Sequence, residues 1–277
     1  MKEYLELVKL VKEKGQWKEQ RAFLKSSGDR PKCLSVFGAQ LRISLEDGFP
    51  LLTTKRIPFK QVVNELIWFL SGSTNVQYLR SKNIKIWDDW ADSKGELGPI
   101  YGKQWRSWQT ADGKHLDQID ILLKNIDKVR LDPNAPEARR LLVTSWNPGD
   151  LPLKAPPACH TFFQFNIMDN SLSCHLYMRS ADLVLGVPWN IACYALLTSL
   201  IAFQKDLNPK DLIISFGDLH IYENLMSIVD EQLTRTPKTL SRLLINNMFT
   251  DLDLLTDDQV FLDGYDPYPS LSGEVAV

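Results

Sequence analysis

The sequence lacks several features that would place it in a specialised class of protein. Its four cysteines in 277 residues show no disulfide-framework spacing, which predicts a reducing, intracellular environment. It has no Cys-x-x-Cys pair and its four histidines are widely spread, so we expect no metal site. No apolar run approaches the roughly 20 residues of a membrane span, and the charged, amphipathic first residues do not resemble a signal peptide. We therefore expect a cytoplasmic globular protein that is not attached to a membrane.

The chain also has little net charge, −2 at pH 7. This balance argues against DNA binding, which favours a basic face, but it leaves room for a small anionic substrate held by a few arginines. The hydrophobic content of 44% is enough for one large core. No internal repeat, low-complexity tract or clear linker is present, so we predict a single catalytic domain over residues 1–277.

Apolar periodicity mixes helices and strands without βαβ alternation, which predicts an α+β fold with a mixed sheet packed against helices. The predicted helices cover residues 4–15, 62–70, 119–129, 191–203 and 220–233. The predicted strands cover residues 34–38, 40–43, 139–146, 159–168, 171–179 and 212–216. Residues 16–33 are interpreted as an exposed loop, and Asp169-Asn170 as the turn of a hairpin.

Cys159 is the first candidate for chemistry. Pro156, Pro157 and Ala158 lead into it, and an alternating, aromatic-rich segment follows. A thiol held at the start of a strand by stiff backbone is suited to adding to an electrophilic carbon. The alternative is an inert packing residue, since free cysteine is among the most buried residue types.

Glu65 is the second candidate, because it lies in the middle of a nearly all-apolar helix. A buried carboxylate is costly unless it is paired or used, and burial raises its pKa toward general acid–base duty. A buried ion pair or a locally exposed turn is the alternative interpretation.

Other residues supply complementary recognition groups. The pairs Arg139-Arg140 and Arg179-Ser180 suit a phosphate monoester, although each arginine could equally be a surface charge. Trp87 and Trp90 could stack on a flat ring, or they could simply pack in the core. His220 and Tyr222 could bind a hydroxyl group, or they could be satisfied structural groups. Asn190 could recognise a base, or it could cap a helix.

Taken together, these residues resemble the thymidylate synthase family, and the resemblance covers nearly the whole chain. The motifs that carry it lie at residues 47–56, 65–70, 86–92, 98–106, 139–140, 159–160, 176–180, 186–192, 217–222, 264–267 and 275–277. The resemblance implies methylation of dUMP to dTMP with 5,10-methylenetetrahydrofolate as the donor of the one-carbon unit and the hydride. It further implies that the fold is that of the family, with the sheets forming a dimer interface.

By the same resemblance, Cys159 adds to C6 of the uracil ring, Glu65 moves protons through ordered water, and Tyr101 helps to remove the C5 proton. The implied catalytic set also includes His160, Arg179, Asp182 and Asn190. The implied dUMP-binding residues are Arg30, Arg139, Arg140, Arg179, Ser180, Asp182, Asn190, His220 and Tyr222. The implied folate-binding residues are Ile86, Trp87, Trp90, Asp182, Leu185, Gly186, Trp189 and Ala276. Arg139 and Arg140 are expected to reach the other subunit's phosphate site, which makes the enzyme an obligate homodimer.

Several positions depart from the family pattern. The phosphate loop lacks its usual glycines, so Arg30 is the predicted loop arginine and Arg21 the alternative. Trp189 replaces a phenylalanine, which would narrow the folate pocket. At Met178 and Leu219 the sequence resembles the related nucleotide hydroxymethylases. A hydroxymethylase that acts on dUMP would make 5-hydroxymethyl-dUMP and tetrahydrofolate. The tryptophans and the tail favour exclusion of water, and hence methylation. A non-catalytic nucleotide-binding relative is a third alternative.

Overall fold

The computed structural model describes residues 1–153 and 156–277. Its α-helices are α1 (Lys2–Lys14), α2 (Phe59–Leu70), α3 (Gln77–Ser81), α4 (Tyr101–Arg106), α5 (Gln118–Leu131), α6 (Gly186–Gln204) and α7 (Met226–Thr234). Its strands are β1 (Gln16–Lys18), β2 (Cys33–Ser44), β3 (Trp108–Gln109), β4 (His115–Leu116), β5 (Leu142–Thr144), β6 (His160–Met168), β7 (Ser171–Asp182), β8 (Asn208–Tyr222), β9 (Arg242–Ile245) and β10 (Val260–Asp263). Short 3-10 helices cover Pro136–Arg139, Pro148–Asp150, Glu223–Leu225 and Leu252–Leu254.

A six-stranded mixed sheet in the order β1-β2-β8-β7-β6-β5 organises the molecule. All neighbouring strands run antiparallel except β7 and β8, which are parallel. Parallel neighbours need a crossover connection, and α6 supplies it. The helices and this sheet confirm the predicted α+β class.

Helix α6 forms the centre of the hydrophobic core. It is buried on every side, as expected for a helix that is apolar around its whole circumference. It packs on β7, β8 and α2, while α1 packs on β2. In residues 1–153 and 156–277 it is the one helix long and apolar enough to cross a membrane, with a mean hydropathy of 1.4, and 78% of that stretch is buried inside the molecule.

The side-chain alternation of β8 changes phase at Gly217. Ile214 and Phe216 face the core before this glycine, whereas Leu219 and Ile221 face the core after it. Because successive side chains of a regular strand alternate, this shift requires an irregularity in the backbone. It places His220 on the opposite side of the strand from the core residues.

Neighbouring strands share the irregularity. Gly38 of β2, with φ of +80°, lies opposite it, between the Phe37–Asp218 and Ala39–Phe216 pairs. A Cβ on Gly217 would lie 2.8 Å from the Arg179 carbonyl oxygen of β7, so only glycine fits this close approach.

The face of the sheet away from α6 carries exposed apolar side chains. Phe37 is 86% exposed, and Leu142 and Phe162 are 45% and 42% exposed. An apolar patch of this kind on a sheet face is typical of an interaction surface.

Several sequence-based boundaries were wrong. Gln16–Lys18 forms an edge strand inside the region expected to be a loop, because it pairs with β2. The two short strands predicted around Gly38 are one continuous strand, since it pairs along its length with β8. The predicted strand from Arg139 begins only at Leu142. Residues 220–222 end β8, and the helix expected there begins at Met226.

Candidate active site

Cys159 lies immediately before β6, where the chain enters the sheet after Pro156 and Pro157. Its thiol is half-buried. Its backbone N–H donates to the Tyr101 hydroxyl at 2.9 Å, and its carbonyl accepts from the Arg179 N–H at 2.9 Å. The backbone of Cys159 is therefore held by α4 on one side and by β7 on the other.

Arg179 fixes the cysteine loop through its side chain. Its Nε donates to the Ala158 carbonyl at 2.8 Å and its Nη2 to the Pro157 carbonyl at 2.7 Å. The same Nη2 lies 3.8 Å from the Cys159 Sγ, and the guanidinium stacks on Trp146 at 5.3 Å from the ring centroid. A cation at this distance favours the thiolate over the thiol.

Burial raises the pKa of the Cys159 thiol, while the charges of Arg179 and, more weakly, Arg21 act in the opposite direction. Arg21 was the alternative to Arg30 as the loop arginine. Both side chains are exposed, but it is the charge of Arg21 that acts on Cys159. Arg21 and Arg30 both remain candidates for the loop arginine, and the charge that acts on Cys159 is an argument for Arg21.

His160 follows Cys159 in the sequence, and its ring is held by aromatic neighbours. Its ring stacks on Tyr101 at 3.7 Å, nearly parallel, and its Nδ1 lies 2.7 Å from the Tyr194 hydroxyl. Burial lowers the pKa of His160 to about 3. The imidazole is thus neutral at physiological pH and stacks against Tyr101 without contributing a positive charge.

Glu65 of α2 is buried, only 5% exposed, as expected from its apolar helix. Trp87 donates its indole N–H to Oε1 at 2.8 Å, and Trp189 donates to Oε2 at 2.6 Å. Burial raises the pKa of Glu65 to about 7, and these two hydrogen bonds oppose the rise. A carboxyl group that titrates near neutral pH is suited to general acid–base chemistry.

An aromatic wall extends from Glu65 toward the nucleophile. The rings of Trp87 and Trp90 meet edge-on at 5.7 Å, and Trp87 lies 5.9 Å from Tyr101. Trp87 and Trp90 lie in a turn, where the Trp90 N–H donates to the Trp87 carbonyl at 3.2 Å. Both indoles are half-buried, so their remaining surfaces can stack on a conjugated ring.

The end of β8 presents His220 and Tyr222, whose rings meet edge-on at 5.0 Å. Asp218 fixes His220 through an Oδ1–Nδ1 contact of 3.1 Å, and its Oδ1 also accepts from the Ser35 hydroxyl at 2.7 Å. Although burial opposes the effect, hydrogen bonds from His220, Lys18 and Ser35 hold the pKa of Asp218 well below its usual range. Asp218 was not among the predicted residues, although its two-residue spacing from His220 in a strand could have indicated it.

Asp182 ends β7 opposite His220 and leads into α6. Its Oδ1 accepts the backbone N–H groups of Val184 at 2.8 Å and Leu185 at 3.1 Å. Burial raises the pKa of Asp182, and these hydrogen bonds oppose the rise. Asn190 and Trp189 follow in the first turns of α6, so Asp182 fixes the chain that carries them.

Arg139 and Arg140 lie apart from this arrangement. They occupy the end of a 3-10 helix and the residue after it, and both side chains are exposed. They were expected at the start of a strand, which would send them to opposite faces, but a turn does not impose that alternation. Ser180, by contrast, follows Arg179 on β7 and lies opposite Asp218.

The C-terminal tail lies against the loop that contains Arg21. Val277 and Phe23 exchange two backbone hydrogen bonds of 3.0 Å, and the Ser26 N–H donates to Glu274 at 2.8 Å. From the same loop, Lys25 forms an ion pair of 2.7 Å with Asp89, between the two tryptophans of the wall. Ala276 is buried in this arrangement.

In residues 1–153 and 156–277, no cluster of three or more histidine, cysteine, aspartate or glutamate side chains could hold a metal ion. Of the predicted residues, Cys159, Tyr101, His160 and Arg179 meet directly, and Glu65 joins them through the aromatic wall. Trp146 and Tyr194 belong to the same cluster but were not identified from the sequence, because nothing in their local pattern indicates these long-range contacts.

A thiol beside a guanidinium, a buried carboxyl group near neutrality and a wall of indoles are groups suited to chemistry with a cysteine nucleophile. The chain matches the family model described as thymidylate synthase over residues 2–277. It therefore belongs to the thymidylate synthase family and is a folate-dependent enzyme that modifies C5 of dUMP.

Proposed function

We propose that this enzyme methylates dUMP to dTMP, with 5,10-methylenetetrahydrofolate as the donor of the one-carbon unit and the hydride. The observation that carries the choice of methylation is the aromatic side of the site, where Trp87 binds Glu65, Trp90 packs on Trp87, and the tail lies against the neighbouring loop. Exclusion of water favours hydride over water as the group that completes the reaction. Residues 1–277 then form one catalytic domain.

In this proposal the Cys159 thiolate adds to C6 of the uracil ring, which moves an electron pair toward C5 and O4. Arg179 supports the thiolate from 3.8 Å. Tyr101, whose hydroxyl accepts the Cys159 N–H, is assigned a part in removal of the C5 proton. His160 holds the ring of Tyr101 by stacking.

Recognition of dUMP is assigned to groups on neighbouring elements. Arg179, Ser180 and Arg21 bind the phosphate, and Arg21 replaces Arg30 in this role because its charge reaches Cys159. Asn190 reads the uracil edge, since an amide offers a donor and an acceptor to adjacent C=O and N–H groups. His220, fixed by Asp218, and Tyr222 hold the sugar hydroxyl.

The folate is assigned to the wall between α6, the tail and the tryptophan turn. The half-buried indoles of Trp87 and Trp90 fit a flat conjugated ring, and Asp182 provides a buried carboxyl group for a polar heterocycle. The remaining residues assigned to this pocket are Ile86, Leu185, Gly186, Trp189 and Ala276. When bound, the folate supplies the carbon unit and the hydride, while Glu65 carries protons through water.

The enzyme is proposed to act as an obligate homodimer. The exposed apolar face of the sheet, on which Phe37 is the most exposed of the three apolar side chains described above, supports an interface there. Arg139 and Arg140 are exposed and lie outside the Cys159 arrangement, which is compatible with donation to the partner's phosphate site.

The alternative product is 5-hydroxymethyl-dUMP, formed with release of tetrahydrofolate. Met178 and Leu219 are the residues that resemble the hydroxymethylases, but both are core residues, 2% and 0% exposed. Their side chains therefore carry little weight in the choice of product.

A product assay tests the choice. The purified enzyme is incubated with dUMP and methylenetetrahydrofolate, the nucleotides are separated by chromatography, and dihydrofolate is followed by absorbance. We expect equal amounts of dTMP and dihydrofolate, and loss of both in Cys159→Ser. Release of 5-hydroxymethyl-dUMP with tetrahydrofolate would replace the proposed function by the alternative, and absence of any turnover would favour a non-catalytic relative.

A further inference from the structure

Two indole groups from distant parts of the chain hold the two oxygens of the buried Glu65 carboxylate. Trp87 binds Oε1 at 2.8 Å from the turn after α3, and Trp189 binds Oε2 at 2.6 Å from the first turn of α6. In the described part of the chain these are the hydrogen-bond donors to this side chain. The carboxylate is therefore fixed at both ends.

The chemistry of the donors decides what this arrangement can do. An indole nitrogen only donates, whereas a carboxylate only accepts and has about four lone-pair positions. Each indole thus occupies one position on its oxygen and leaves another for water or substrate. Since neither indole can accept a proton from Glu65, both hydrogen bonds favour the ionised carboxylate.

We propose that Trp189 is a positioning residue for Glu65, whose indole N–H orients the carboxylate and stabilises its ionised form. This inference rests on the proposed function, in which Glu65 carries protons. It assigns to Trp189 a role beyond the folate wall, because the N–H group, and not the ring area alone, makes the contact. A phenylalanine at this position would keep an aromatic ring but could not donate.

The environment of Glu65 indicates how much the loss of the Trp189 N–H should change the charge of the carboxyl group. Burial raises the pKa of Glu65 to about 7, so the group titrates within the physiological range and small changes alter its charge. A hydrogen bond to a charged group is among the stronger ones in a protein. Its loss raises the pKa of a buried carboxyl group by about one unit or more. Removal of the Trp189 donor should therefore leave most of Glu65 protonated at neutral pH.

The test is an infrared titration of Glu65 in the full-length enzyme. The band of the protonated buried carboxyl is identified by subtracting the spectrum of Glu65→Gln, which separates it from Asp182. In Trp189→Phe we expect the midpoint of the Glu65 titration to rise by about one pH unit. The limb of the pH–kcat profile that Glu65 governs should move to higher pH as well. Replacement of Trp189 by 3-benzothienylalanine, which has sulfur in place of the N–H, should give the same shift with the bicyclic shape retained.

Trp90→Phe is the matched control. Trp90 belongs to the same wall and contacts Trp87 at 5.7 Å, but its indole is not a donor to Glu65 in the described residues. We expect a higher KM for the folate and an unchanged Glu65 midpoint.

An unchanged midpoint in both Trp189 variants would overturn the proposal and reduce Trp189 to a wall residue. A shift in Trp189→Phe without a shift in the benzothienyl variant would also overturn it, because ring size and not the N–H would then be the cause. The titration needs no turnover, so a hydroxymethylated product would overturn the proposed methylation and leave this result unaffected.

Discussion

Cys159, the proposed nucleophile, has a thiol whose charge depends on its neighbours. Burial alone would keep its thiol protonated at neutral pH, and the charges of Arg179 and Arg21 work against burial. Because Arg179 also donates hydrogen bonds to the Pro157 and Ala158 carbonyls, its replacement would disturb the loop as well as the charge. Arg21 offers a cleaner probe, since its exposed side chain acts on the thiol through its charge.

Alkylation of Cys159 by iodoacetamide provides the first residue-scale prediction. The rate should rise with pH, because the thiolate reacts and its fraction grows as pH approaches the raised pKa. Arg21→Ala should lower the rate at pH 7 roughly twofold to fivefold at low salt, since an exposed charge is partly screened. The rate is measured by mass spectrometry of the Cys159 peptide.

Arg30→Ala is the control for this experiment. It removes the same charge from the same loop and should leave the alkylation rate unchanged. Equal effects of Arg30→Ala and Arg21→Ala on the alkylation rate would support Arg30 as the loop arginine, as first predicted.

Individual residues were predictable where one local pattern carried the signal. The apolar helix around Glu65 predicted its burial, which the structure confirms. The donors to Glu65 could not be predicted, because Trp189 lies 124 residues away in sequence. The contact of Trp146 with Arg179 is equally non-local, and no sequence pattern links the two.

Among the elements, the hairpin of β6 and β7 follows most directly from its sequence. Asp169 and Asn170 connect the strands with φ values of 50° and 56°, both in the left-handed region. A two-residue turn of this kind matches the twist of the strands, and Asn and Asp tolerate it better than other non-glycine residues. The predicted turn is therefore confirmed, and its geometry explains the choice of residues.

A substitution series at Asn170 tests the turn. Asn170→Val should lower the free energy of unfolding by about 1–2 kcal/mol, because a β-branched side chain is strained at positive φ. Asn170→Gly should leave stability nearly unchanged, since glycine adopts this conformation freely. Urea denaturation followed by fluorescence measures both; equal loss in the two variants would show that the Asn side chain, and not backbone conformation, stabilises the turn.

Other elements were predictable only in part. Helices α1, α2 and α5 have clear apolar faces, and the structure confirms them. Strand β8 was expected to cover only residues 212–216, because the phase change at Gly217 breaks its alternation. The helix predicted over residues 220–233 began too early, because residues 220–222 pair with β2 and remain extended.

For the whole molecule, the exposed face of the sheet is the feature that most needs a partner. Phe37→Lys should weaken the proposed homodimer, because a charge buried in an interface without a partner is costly. We expect sedimentation velocity to show monomer at micromolar concentration, with loss of activity because Arg139 and Arg140 would no longer reach the partner's site.

Leu131→Lys serves as the comparison, since Leu131 is 89% exposed at the end of α5, outside the sheet. It should leave both sedimentation and activity unchanged. A monomeric wild-type enzyme with full activity would contradict the dimer proposal.

The strand order of the sheet also governs when the protein can fold. β2, near the start of the chain, has its long partner in β8, with Cys33 paired to Tyr222. During synthesis the ribosome must therefore deliver some 200 residues before the first long strand finds its neighbour, and until then β2 has an open edge. The segment between them contains α6, whose surface against β8 also stays uncovered until β8 has been made. We therefore expect the nascent chain to expose apolar surface until β8 emerges, when contacts distant in sequence complete the core.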